Sequence, residues 1–136
     1  MRDATPSDSG ESKGFVSINS AHHSITTQFL KTIISEVRKL GQESTIELQE
    51  VLIEDGLDIS NPRLAKLIID WAKANFSNLE LPKDIDISEC TQSAHAVYLS
   101  VCEAVGPVKA DVILNKTITL LNELPEASIF TPNKLL

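Results

Sequence analysis

Side chains able to act as bases, nucleophiles or metal ligands are sparse, with three histidines and two cysteines in 136 residues. His22 and His23 are adjacent. On a helix neighbouring side chains diverge by about 100°, so the two do not grip one metal ion together. They stand near the start of the first helical stretch, where solvent-exposed polar residues are expected. His95 and Cys102 lie seven residues apart, about 10.5 Å along a helix axis. That is too long for shared zinc ligation and for a Cys–His nucleophilic pair, which needs contact near ~3 Å. Cys90 and Cys102 fall on the same helical stretch, about 18 Å apart, whereas a disulfide requires Cα atoms within about 7 Å. Two free thiols are expected, as in a reducing cytoplasm.

The carboxylates offer two runs. Asp84-Ile85-Asp86-Ile87-Ser88 imitates the first ligands of a calcium loop, but that loop needs Gly at its sixth and Glu at its twelfth position. Glu89 and His95 stand there, so capping of the following helix is the better reading. Glu54-Asp55-Gly56-Leu57-Asp58 reads as a turn with acidic flanks. A small metal-dependent enzyme built on Asp84, Asp86 and His95 is the weakest of the functional readings. The glycines stand singly, so no phosphate-cradling loop exists, and the Cys-x-x-Cys, His-Glu-x-x-His and Gly-x-Ser-x-Gly patterns are missing. No catalytic residue, metal site or cofactor is expected.

The charge balance is more informative. Twelve basic against nineteen acidic side chains give -7, a poor start for nucleic acid or anionic lipid, whose binding rests on Lys and Arg. The acids are also clustered. Residues 42–61 carry -6 and 84–106 carry -4 with no base in either, while 19–41 and 62–83 carry +2 each. Such alternation suits an acidic face docking a basic protein, or acidic and basic faces meeting in a homodimer. The contact residues expected on the acidic face are Glu47, Glu50, Glu54, Asp55 and Asp58. A DNA-binding alternative uses a helix-turn-helix-like pair, 45–55 and 62–76, presenting Asn61, Arg63, Lys66 and Lys73. Its connection is longer than the usual turn, and its first helix would repel phosphate.

These residues must be positioned by helices. Apolar positions recur with a 3.6-residue period, and Gly, Pro and capping residues divide the chain into five helical segments. Residues 20–40 bury one face through Ile25, Phe29, Leu30, Ile33, Ile34, Val37 and Leu40. Ser44-Thr45-Ile46-Glu47 has the capping-box pattern for the second helix. Asn61-Pro62 caps the third, 62–76, whose apolar residues leave only a narrow polar stripe, so it is expected at the centre of the bundle. The fourth runs from about Ser88 to Gly106, the fifth from Pro107 to Leu124, and 125–136 lies across the bundle. The fold expected is all-α: a flexible tail over 1–18, then one helical domain over 19–136. No stretch reaches the ~20 apolar residues of a membrane span, and MRDATPSDSGESKG lacks the apolar core of a secretory signal. The expectation is a cytoplasmic, non-enzymatic protein-interaction module, an adaptor, inhibitor or homodimeric regulator.

Overall fold

The computed structural model describes residues 18–136; the expected tail lies, but for its last residue, outside them. Five α-helices follow one another: α1 (Ile18–Arg38), α2 (Gln42–Asp55), α3 (Pro62–Lys73), α4 (Ile87–Val105) and α5 (Pro107–Leu121). Two short 3-10 turns, Pro125–Ser128 and Pro132–Leu135, finish the chain. No strand occurs among the described residues, and none of their helices is long and apolar enough to cross a membrane.

α1 forms where its apolar period predicts and buries Ile25, Phe29, Leu30, Ile33, Ile34 and Val37. Leu40 is exposed, because the helix ends at Arg38 and leaves it in the following turn. Gly41 joins α1 to α2 at φ 125°, a backbone region that a residue with a Cβ rarely occupies.

α2 starts at Gln42, earlier than its sequence signal. The capping box at Ser44 does not form, since Ser44 already lies inside the helix. Thr45 Oγ1 instead donates back to the Gly41 carbonyl at 3.2 Å. α3 opens as expected: Asn61 Oδ1 accepts from the amides of Arg63 (3.0 Å) and Leu64 (3.4 Å), with Pro62 in the first turn. It stops at Lys73 rather than 76, because Asn75 and Phe76 both take φ 58° and turn the chain. Phe76 folds back edge-on against Trp71, with ring centroids 5.0 Å apart.

The expectation that the helix over 62–76 is central is corrected by the packing. α3 lies chiefly against α2, whereas α4 meets α1, α2, α5 and the last 3-10 turn. The physical reason is side-chain size. α4 buries Cys90, Ser93, Ala94, Ala96, Val97, Ser100 and Val101, small residues that let other helices approach closely from several sides. α3 carries bulkier Leu67 and Ile69, which remain half-buried at the edge of the core.

α4 is itself well started. Asp86 Oδ1 accepts from the Glu89 amide at 2.7 Å, and Glu89 Oε1 accepts from the Asp86 amide at 3.1 Å, a complete capping box. α5 buries Ala110, Ile113, Thr117 and Leu121 and leaves Val108 and Val112 outside. It ends at Leu121, and residues 122–124 form a turn into the first 3-10 segment. Phe130 and Leu135 then close the core from the C-terminal side, while Ile129 and Leu136 stay exposed.

Candidate functional site

The polar residues divide into those that hold the fold and those left facing solvent. The histidine pair belongs to the first group, against the expectation of solvent-exposed positions. His22 is buried, and its Nε2 lies 2.7 Å from the carbonyl oxygen of Ile85. His23 Nε2 lies 2.9 Å from the Leu81 carbonyl. An imidazole N–H donates in both, so consecutive side chains of α1 hold the segment 77–86 as it runs past the helix. Their ~100° divergence, which prevents chelation, is what lets them reach carbonyls four residues apart. The His22 ring also stands edge-on to Phe130, centroids 5.9 Å apart.

Glu36, also buried, is neutralised within the fold. Lys39 Nζ approaches its carboxylate at 2.8 Å and Lys116 Nζ at 3.2 Å, joining α1 to α5. The hydrogen bond from Lys39 holds the Glu36 carboxyl below its ordinary range, against the opposing effect of burial. Cys90 and Cys102 are free thiols. Burial pushes the Cys90 thiol up to about 11, which keeps it protonated and unreactive near neutral pH. The Tyr98 hydroxyl donates to the Asp111 carboxylate, linking α4 to α5. That bond, helped by Cys102, raises the Tyr98 pKa.

The remaining candidates fall in separate places. Asp86 is occupied in the α4 cap, and His95 is exposed on α4 two turns further on. Among the described residues, no three of His, Cys, Asp and Glu converge as metal ligands would. On α3, Arg63 and Lys73 are exposed, and Lys66 pairs with Asp70 at 2.8 Å. Asn61, besides capping α3, donates from Nδ2 to Glu89 Oε2 at 2.7 Å.

The five acids expected on the docking face are all exposed, and the structure separates them. Asp55 and Asp58 line a trough between the end of α2, the 56–60 connection and α4, of about 230 Å³, together with Val51, Leu57, Leu99 and Glu103. A neighbouring depression of about 350 Å³ shares Asp58, Ala96 and Leu99 and continues past Gln92 and His95. Glu47, Glu50 and Glu54 do not line either hollow.

Asp55 and Glu103 line the same hollow, and the neighbouring Asp55 raises the Glu103 carboxyl above its ordinary value. No lysine or arginine forms an ion pair with Asp55, Asp58 or Glu103 among the described residues. The connection forming one wall is pinned: the Ser60 amide and hydroxyl both donate to Gln92 Oε1 at 2.8 Å. Glu103 is the residue that sequence reasoning missed. The available signal was the base-free acidic run 84–106, but only the packing of α2 against α4 brings Glu103 into one hollow with Asp55.

Two other hollows border the 77–86 segment, of about 390 Å³ and 220 Å³. His23 in one and Asn61 with Glu89 in the other are already bonded to the fold, and each hollow is also lined by a base and an acid, Lys83 with Glu80 and Arg63 with Asp84. The α2–α4 trough differs in being lined by acids and, among the described residues, by no lysine or arginine. Compared with known proteins, the chain matches no family model, no curated protein and no solved structure.

Proposed function

We propose that this chain is a non-enzymatic protein-interaction domain that docks a basic partner protein on the acidic face formed by α2 and the connection after it. The observation that carries the reading is the exposure of Glu47, Glu50, Glu54, Asp55 and Asp58 in a stretch without a base. Fields from such a patch accelerate encounter with a positively charged surface and fix its orientation. Several polar groups that would otherwise be candidates for chemistry are engaged in the architecture: His22 and His23 on carbonyls, Asp86 in a cap, Asn61 in a cap and on Glu89, while His95 stands exposed and apart from them. Two free thiols support a reducing, cytoplasmic setting.

The test is capture from a lysate of the source cell at low and moderate salt, with the wild-type chain beside a variant carrying Lys at positions 47, 50, 54, 55 and 58. A protein retained by the wild type and lost by the variant is the expected result. Recovery of nucleic acid or a small metabolite alone contradicts the reading.

A second reading, self-association, is favoured by α5, whose Val108 and Val112 are 77 % and 65 % exposed one helical turn apart. The solution mass of the purified chain decides it. The DNA-binding alternative has less support, because Asn61 and Lys66 are already partnered within the fold.

A further inference from the structure

The α2–α4 trough has a chemical character that the acidic face as a whole does not. Leu99, 51 % exposed, stands where its two hollows meet. Val51, Leu57 and Ala96 provide further apolar lining, while Asp55, Asp58 and Glu103 provide the acid. Along α4, His95, Leu99 and Glu103 recur at four-residue spacing, so the stripe extends about 12 Å, or roughly two helical turns.

We propose that this trough is the docking groove for an amphipathic helical segment of a partner protein, one that sets an apolar side chain against Leu99 and Val51 and an arginine between Asp55 and Glu103. The inference rests on the protein-interaction reading above and narrows it to an occupant. Charge complementarity selects that occupant: Asp55 and Glu103 line one hollow in which no lysine or arginine stands among the described residues, and a planar guanidinium can bridge such paired acceptors with several N–H donors. Apolar surface between the acids selects a partner with apolar groups at helical spacing, over a purely basic chain. The hydrogen bonds from Ser60 to Gln92 hold one wall in place, which limits the ordering cost of binding.

The probe is a synthetic helical peptide of alanine, leucine and arginine with its leucines on one face. It is titrated into the isotope-labelled full chain by NMR and followed by fluorescence anisotropy. Saturable shifts confined to residues 51–58 and 95–103 are expected. Leu99→Ser and the double variant Asp55→Asn/Glu103→Gln should each weaken binding on the order of tenfold. Neutralising Glu47, Glu50 and Glu54 together should weaken it only about twofold, as rim charges do. Unchanged urea midpoints would establish that these surface variants remain folded.

Loss through the Glu47, Glu50 and Glu54 variant with Leu99→Ser harmless overturns the groove and leaves the acidic-face reading standing. Indifference to both sets, or equal binding of a glutamate-for-arginine peptide, overturns both. Equal binding of a leucine-free alanine–arginine peptide overturns the groove, since charge alone would then suffice. A concentration-dependent dimer of the chain alone that Leu99→Ser dissolves overturns the proposed occupant in favour of a second copy.

Discussion

Glu36 and Glu103 are the same residue type in two opposite settings. Glu36 is 6 % exposed, between α1 and α5, with two lysines on its carboxylate, and its pKa is lowered. Glu103 lies at the rim of the α2–α4 trough beside another carboxyl group, and its pKa is raised. Where the fold depends on a charge, the fold also supplies the counter-charge, because an unpaired ion in the interior is costly. Where solvent tolerates the charge, no such requirement acts, and two acids can be held together at a cost to stability. In the half of the molecule around α1 the buried carboxylate is therefore satisfied in charge from within, although His22 Nδ1 and Thr26 Oγ1 stay buried without a hydrogen-bond partner. The acids of the α2–α4 trough have no such counter-charge paired with them among the described residues.

Substitutions can break this contrast, and the largest effect belongs to the satisfied half. Ile33→Ala, at a fully buried α1 position, should lower unfolding free energy by about 3 kcal/mol. Leu99→Ala in the trough should cost less than about 0.5 kcal/mol. Urea midpoints for the two variants check the difference, and equal losses would mean that the trough is part of the core. His22→Ala should follow at about 2–3 kcal/mol, since it removes the bond to Ile85, the contact with Phe130 and a buried ring. Amide hydrogen exchange should then speed up across 77–86 before the rest of the chain. The double variant Lys39→Ala/Lys116→Ala leaves the Glu36 carboxylate without a counter-charge and should destabilise the fold by less than the two core changes. Thermal unfolding at neutral pH reads that loss.

The smallest effect sharpens the comparison through pH. Glu36, with a lowered native pKa, contributes stability that is present above the ordinary carboxylate value and lost as pH falls through the lowered one. Glu103 has the opposite sign. Its native form holds a proton more tightly than the unfolded chain does, so stability falls as pH rises from the ordinary to the raised value. Glu103→Gln should therefore match the wild type in acid and exceed it slightly at neutral pH. A difference independent of pH would remove the Asp55 neighbour as its cause.

Much of the fold is legible in the residues themselves. Periodicity places α1 and the span of α4, and Asn61-Pro62 marks the start of α3, because these signals act within one or two turns of helix. Local signals mislead where a stronger local geometry is available: Gly41 starts α2 before the Ser44 pattern can act. The centre of the bundle is not legible from the narrow polar stripe of α3, because the small side chains of α4 decide what packs closely. The histidine pair illustrates the same limit, because its acceptors are carbonyls 58 and 63 residues away. The acidic stretch is legible as charge. Its division, with Asp55 and Asp58 in the trough and Glu47, Glu50 and Glu54 outside it, depends on which helix lies opposite.

Glu36 takes its counter-charge from the chain, and the proposed groove would give Glu103 one from a partner. Carboxyl-carbon NMR titration of both glutamates, in the free protein and with saturating leucine–arginine peptide, measures this directly. The account predicts that free Glu103 titrates above the ordinary glutamate value and Glu36 below it, and that the peptide moves Glu103 downward while Glu36 stays in place. Identical titration of the two residues in the free protein, or a Glu103 curve unmoved by the peptide, would contradict it.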